Sequence, residues 1–122
     1  MLFYVTIETK HEDFKGFLKT EFNKPFRLRG EWEVGIISCH TNLSSRIFWV
    51  FSDIVDFSYV NNVPMQLMDV LQGDELKIRK PLYSKVIKKT ISRINMKFKL
   101  EPKSENFNIT TDIVCILHFR KT

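Results

Sequence analysis

The chain is 122 residues long, 43% hydrophobic and 27% charged, with eleven phenylalanines and a formal net charge of +5. That length fits one domain, and the apolar share excludes a disordered chain. The positive charge suits an acidic partner but is equally explained by solubility, and no apolar run approaches the roughly twenty residues of a membrane-spanning helix.

The opening MLFYVTIETK carries no basic leader and no cleavage site, so a soluble, intracellular product is expected, with a strand starting at once. Phe3, Val5 and Ile7 alternate with Tyr4, Thr6 and Glu8, the period of a strand. A polar connection follows at 10–16. Leu18, Phe22, Phe26 and Leu28 then mark an irregular strand over 18–28, because Pro25 opposes a helix there; a bulge is expected at Asn23-Lys24-Pro25. Gly30 supplies a turn conformation ahead of the next strand, 31–40. In that strand Trp32, Val34 and Ile36 are expected in the core, with Glu31 and Glu33 outside. Gly35 would admit a close neighbour or a bulge. The polar stretch 41–45 reads as a loop.

The segment Arg46 to Val55 is apolar on both faces. It is either a central strand covered on both sides or an exposed patch, with Phe48, Trp49 and Phe51 as the candidate interface. After a turn-rich connector, 63–71 fits a short strand or a helical turn, and both readings stand. A Gly73-Asp74 turn separates this from strand-like runs at 76–80 and 82–88. Ile94, Met96, Phe98 and Leu100 alternate with Asn95, Lys97 and Lys99, the clearest half-buried strand in the chain, with Met96 and Phe98 assigned to the core. A turn at 101–108 leads to a last strand, in which Ile113, Cys115, Leu117 and Phe119 alternate with Val114, Ile116 and His118. About eight strands without a long helix predict an all-β chain: an eight-stranded antiparallel β-sandwich, a single jelly roll over 1–122. The immunoglobulin-like alternative lacks its Cys–Trp–Cys spacing and tyrosine corner here.

Little in the sequence points to reaction chemistry. Cys39 and Cys115 read as small core residues in a reducing compartment, with a cross-strand disulfide as the alternative. Cys39 with His40, and Cys115 with His118, would point to opposite strand faces, so they should not converge on a metal. Asp53 and Asp56 are the best carboxylate pair, yet nothing adjacent would polarise a substrate. Asp53 is expected to accept backbone hydrogen bonds at a strand end. The expectation is a non-enzyme without cofactor or metal. The sequons at Asn42 and Asn108 read as chance matches. From Lys77 to Lys103 the chain holds ten Lys or Arg residues against Glu101 alone. Lys85, Lys88, Lys89, Lys97 and Lys99 are the candidate contacts for non-specific nucleic acid; the competing reading is a solvated face with lysines guarding sheet edges. No aromatic–basic interleaving is evident along the chain, which argues against recognition of individual bases.

One segment, PFRLRGEWEVGI from Pro25 to Ile36, resembles a stretch of virion proteins from polintons (Mavericks) and adintovirus-like elements. The likeness is carried by Leu18, Phe22, Pro25, Phe26, Leu28, Gly30, Trp32, Glu33, Val34 and Gly35. The run 47–71 is similar to a second family segment through Asp53, Ile54, Ser58, Val60, Asn61, Pro64 and Leu67. ILHFR at 116–120 looks like the family's closing strand and FYVTI like its first, although the polar Ser/Asn-rich motif that often follows is missing. The resemblance implies a jelly-roll virion component, penton-like or another minor capsid protein, shorter than many relatives. Such a subunit would self-assemble, as a pentamer or trimer, and meet a larger capsid protein in the virion after synthesis in the host cytoplasm or nucleus. The alternative is a basic β-sandwich module that binds nucleic acid or a histone-like or acidic partner.

Overall fold

The structure is a computed structural model that describes residues 2–8, 17–41, 47–72, 78, 80–100 and 113–122. The expected connections at 10–16, 42–45, 73–74 and 101–108, both sequons, His11, Lys77, Arg79, Glu101 and Lys103 lie outside the described residues.

Among those residues there are ten strands and no helix: β1 (Leu2–Glu8), β2 (Phe17–Arg27), β3 (Trp32–Thr41), β4 (Ile47–Ser52), β5 (Ser58–Val60), β6 (Val63–Met65), β7 (Leu67–Gln72), β8 (Ser84–Lys85), β9 (Thr90–Lys99) and β10 (Ile113–Lys121). They form a four-stranded sheet in the order β1-β10-β3-β8, a second in the order β2-β9-β4-β7, and the small hairpin β5-β6. Every pairing is antiparallel. The sheets stay open and do not close into a barrel.

One apolar cluster draws on both sheets. Val34, Ile36, Leu117 and Phe119 come from the first sheet; Phe48, Val50, Met96 and Phe98 come from the second. Phe26 of β2 bridges them, its ring 5.4 Å from Phe3 of β1 and 6.0 Å from Phe119 of β10. Trp32, Val34 and Ile36 are buried on one face of β3, as their alternation requires. The indole also donates from Nε1 to Arg29 O at 2.8 Å, so its one polar group is not orphaned. Gly30 holds φ +84°, a left-handed conformation open to glycine, and turns the chain into β3.

Two irregularities correct the period-two pattern. In β2 the pairing with β9 jumps between Glu21 and Phe26, which places the expected bulge around Pro25, a residue with no N–H for the ladder. In β3 the register to β10 skips Ile37, and the inward face then passes to Cys39 while His40 is exposed. The open segment 63–71 resolves into β6 and β7. The turn before β6 contains Asn61 and Asn62 at φ 50° and 65°, the two left-handed residues that a tight hairpin demands.

Within the apolar run at 46–55, Ile47–Ser52 is an interior strand, flanked by β9 and β7. Phe48 is wholly buried in the core, so it offers nothing to another subunit. Phe51 is only 8% exposed and lies outside the main cluster, and Trp49 is half-buried. The candidate interface Phe48, Trp49 and Phe51 is therefore not a free aromatic patch: alternation sends Phe48 inward and sets Trp49 and Phe51 on the outer face.

Candidate functional site

Alternation along β9 sends Ile94, Met96 and Phe98 into the core and leaves Asn95, Lys97 and Lys99 on the outer side of the second sheet. Register then decides what stands beside each lysine. Phe17 of β2 and Phe51 of β4 are the cross-strand partners of Lys97, and Trp49 of β4 is the partner of Lys99. Paired residues share a face, so three rings and two ammonium groups interleave there. Lys99 Nζ sits 5.5 Å from the Phe51 ring centroid, a cation–π contact that covers Phe51. A groove of about 390 Å³ opens over Phe51, Lys97 and Lys99, with Phe17 at one side and Met65 and Gln66 at the other; Trp49 lies on the same face beyond its lining.

The end of the groove is pinned by Asp53. Its Oδ1 accepts from the backbone N of Asn95 at 3.0 Å; its Oδ2 accepts from Asn95 Nδ2 and from Lys88 Nζ, each at 2.9 Å. Gln66 Nε2 donates to the carbonyls of Asp53 and Val55, tying the hairpin's exit to the same turn. The expected role of Asp53 at a strand end is thus fulfilled with one long-range partner strand. Asn95 Oδ1 is buried and has no hydrogen-bond partner among the described residues.

The five candidate basic residues divide by partner. Lys85 and Lys89 both approach Glu31, at 3.8 and 3.9 Å, and Lys89 also donates to Gly30 O at 2.8 Å. Lys88 pairs with Asp53. Lys97 and Lys99 face no carboxylate at ion-pair distance among the described residues. The basic segment is therefore not one uninterrupted patch, and its carboxylate partners come from positions distant in sequence.

On the outer side of the first sheet a second polar cluster forms. Tyr83 OH and His118 Nδ1 are 2.8 Å apart, Tyr4 stacks on His118 at 4.8 Å, and Arg120 lies 3.5 Å over the Tyr83 ring while pairing with Glu33. Cys39 and Cys115 point inward and His40 and His118 outward, so the four do not converge, and no group of three or more His, Cys, Asp or Glu among the described residues is placed to hold a metal. Tyr83 and the aromatic partners of Lys97 and Lys99 were missed in the sequence because each needs a cross-strand register that alternation alone does not give; Lys97 and Lys99 themselves stand on the outer face that alternation assigned them. Compared with known proteins, the chain matches no protein-family model, no curated protein and no solved structure.

Proposed function

We propose that the chain is a non-enzymatic structural subunit of a virion, a single jelly roll that is penton-like or serves as another minor capsid component. The observation that carries this reading is the nesting of the strands. With the β5-β6 hairpin set aside, β4 pairs with β7, β3 with β8, β2 with β9 and β1 with β10. Such nesting supports a jelly roll, in which one long hairpin is rolled across two sheets. The residues behind the family resemblance have structural roles that fit it: Gly30 and Trp32 set the entry to β3, Asp53 ties β4 to β9, and Val60 and Asn61 build the hairpin.

Self-assembly is the matching mechanism. Tyr59 is 79% exposed, and Phe57 and Val63 stand exposed with it on or beside the β5-β6 hairpin. Large rings held on a tight turn lose little entropy on docking, which suits them as anchors in a contact between subunits. They replace Phe48, Trp49 and Phe51 as the interface. The subunit would form a pentamer or trimer and meet a larger capsid protein. Size-exclusion chromatography with light scattering tests this: a closed species of three or five chain masses is expected, weakened by Tyr59→Ser. A monomer that persists across the accessible concentration range would overturn self-assembly.

A further inference from the structure

We propose that the outer face of the β2-β9-β4-β7 sheet binds single-stranded nucleic acid, with Lys97 and Lys99 neutralising phosphates and Phe17 and Trp49 stacking on bases. This goes beyond the virion reading and does not depend on it, since a monomer could bind in the same way.

Four observations converge. Lys97 and Lys99 carry no ion pair among the described residues, whereas Lys85, Lys88 and Lys89 are engaged by Glu31 and Asp53. Among the described residues that line the groove Asp53 is the one carboxylate, and its charge is balanced by Lys88 while Asn95 donates to it, so it does not repel an incoming phosphate. Phe17 is 48% exposed directly opposite Lys97, and Trp49 is half-buried directly opposite Lys99. The two rings stand two strands and two residues apart, roughly 12 Å on the spacing of a pleated sheet, so a single strand running diagonally meets both.

The chemistry selects among polyanions. A positive groove with aromatic rings at intervals is the arrangement that tracks an unpaired backbone and offers each base a π-face. A duplex hides its rings inside the stack, and a flat sheet face has no helix or ribbon to enter a groove. An acidic peptide would meet the lysines but gain nothing from the rings. Both hydrogens of the Gln66 amide go to the carbonyls of Asp53 and Val55, and the Asn95 amide is held by Asp53 with its Oδ1 buried, so binding should tolerate any sequence.

The test is fluorescence anisotropy with the full chain, comparing labelled oligothymidylate with an abasic phosphodiester oligomer of equal length and charge. Oligothymidylate should bind at least tenfold more tightly. Phe17→Ala should remove about tenfold of that preference, equivalent to the lower part of the range for one stacked base, and leave the abasic affinity unchanged. Lys97→Glu with Lys99→Glu should weaken both oligomers and make the salt dependence shallower by about 1.4 in logarithmic slope, two single-strand phosphates. Lys85→Glu, on a lysine held by Glu31, should change neither. Equal affinity of the unaltered protein for the two oligomers would overturn the proposal without reference to any variant. So would displacement of oligothymidylate by polyglutamate of equal charge at the same concentration, which would assign the face to an acidic protein.

Discussion

Cys39 and Cys115 face each other across β3 and β10 with their sulfur atoms 3.0 Å apart, both reduced and both buried. One thiol donates to the other, and this bond, followed by burial and by the charge that Cys39 would carry, holds the Cys115 thiol well above its usual pKa. The sign follows from proton binding. Above about pH 8.5 the unfolded thiol ionises while the folded one keeps its proton, so the native state binds more protons and stability falls as pH rises. Chemical denaturation is expected to show a lower midpoint at about pH 9.5 than at about pH 7.5, and Cys115→Ala should flatten that difference. In the folded protein Cys115 should also react slowly with iodoacetamide, because the thiolate is the nucleophile and its raised pKa leaves little of it present. A midpoint as steep in pH for Cys115→Ala as for the parent would refute the assignment.

Asp53, just past the end of β4, accepts three hydrogen bonds, two from Asn95 of β9 and one from Lys88 ahead of that strand. The part-buried backbone N of Asn95 has this carboxylate as its partner, so removing it leaves a donor unsatisfied. Asp53→Ala is expected to cost about 1–3 kcal/mol. Lys88→Met should cost less than about 1 kcal/mol, because both members of that ion pair are partly exposed and screened. Urea titrations of the two variants decide the point. Equal losses would mean that the ion pair, and not the bond to the strand, holds the turn.

These two pairs also mark where the sequence ran out. Alternation placed Trp32, Val34 and Ile36 in the core and Lys97 and Lys99 outside, because a strand's period is intrinsic to its backbone. Which strand lies beside which is a different property, fixed by the packing of both sheets at once. Hence Cys39 opposite Cys115, Phe17 opposite Lys97 and Glu31 between Lys85 and Lys89 could not be read from one-dimensional spacing. The aromatic run left two readings open for a related reason, and the covered central strand is the one that holds. Phe51 and Phe48 look alike in sequence, but Phe48 enters the core while Phe51 is covered from outside by Lys99. Burial under a neighbouring strand's lysine leaves no periodic signal.

The two glycines flanking Trp32 are required for different reasons, and this separates them experimentally. Gly30 is needed for its left-handed φ of +84°, while the space around it is bounded by the flexible end of Lys121. Gly35 has an ordinary φ, but a Cβ there would lie 2.9 Å from the backbone carbonyl of Leu82 and 3.1 Å from the Tyr83 ring. The carbonyl belongs to the segment that delivers Tyr83 to His118, so it cannot withdraw without displacing that hydrogen bond. Gly35→Ala is expected to destabilise by about 1–3 kcal/mol through overpacking. Gly30→Ala should lose about 1 kcal/mol through backbone strain, and Gly30→Asn should recover part of it because asparagine tolerates that conformation. No such recovery is expected for Gly35→Asn, which adds bulk against the same carbonyl. Thermal denaturation of the four variants reads out the pattern. A Gly35→Asn protein more stable than Gly35→Ala would show that conformation, and not the approach of Leu82, governs the site.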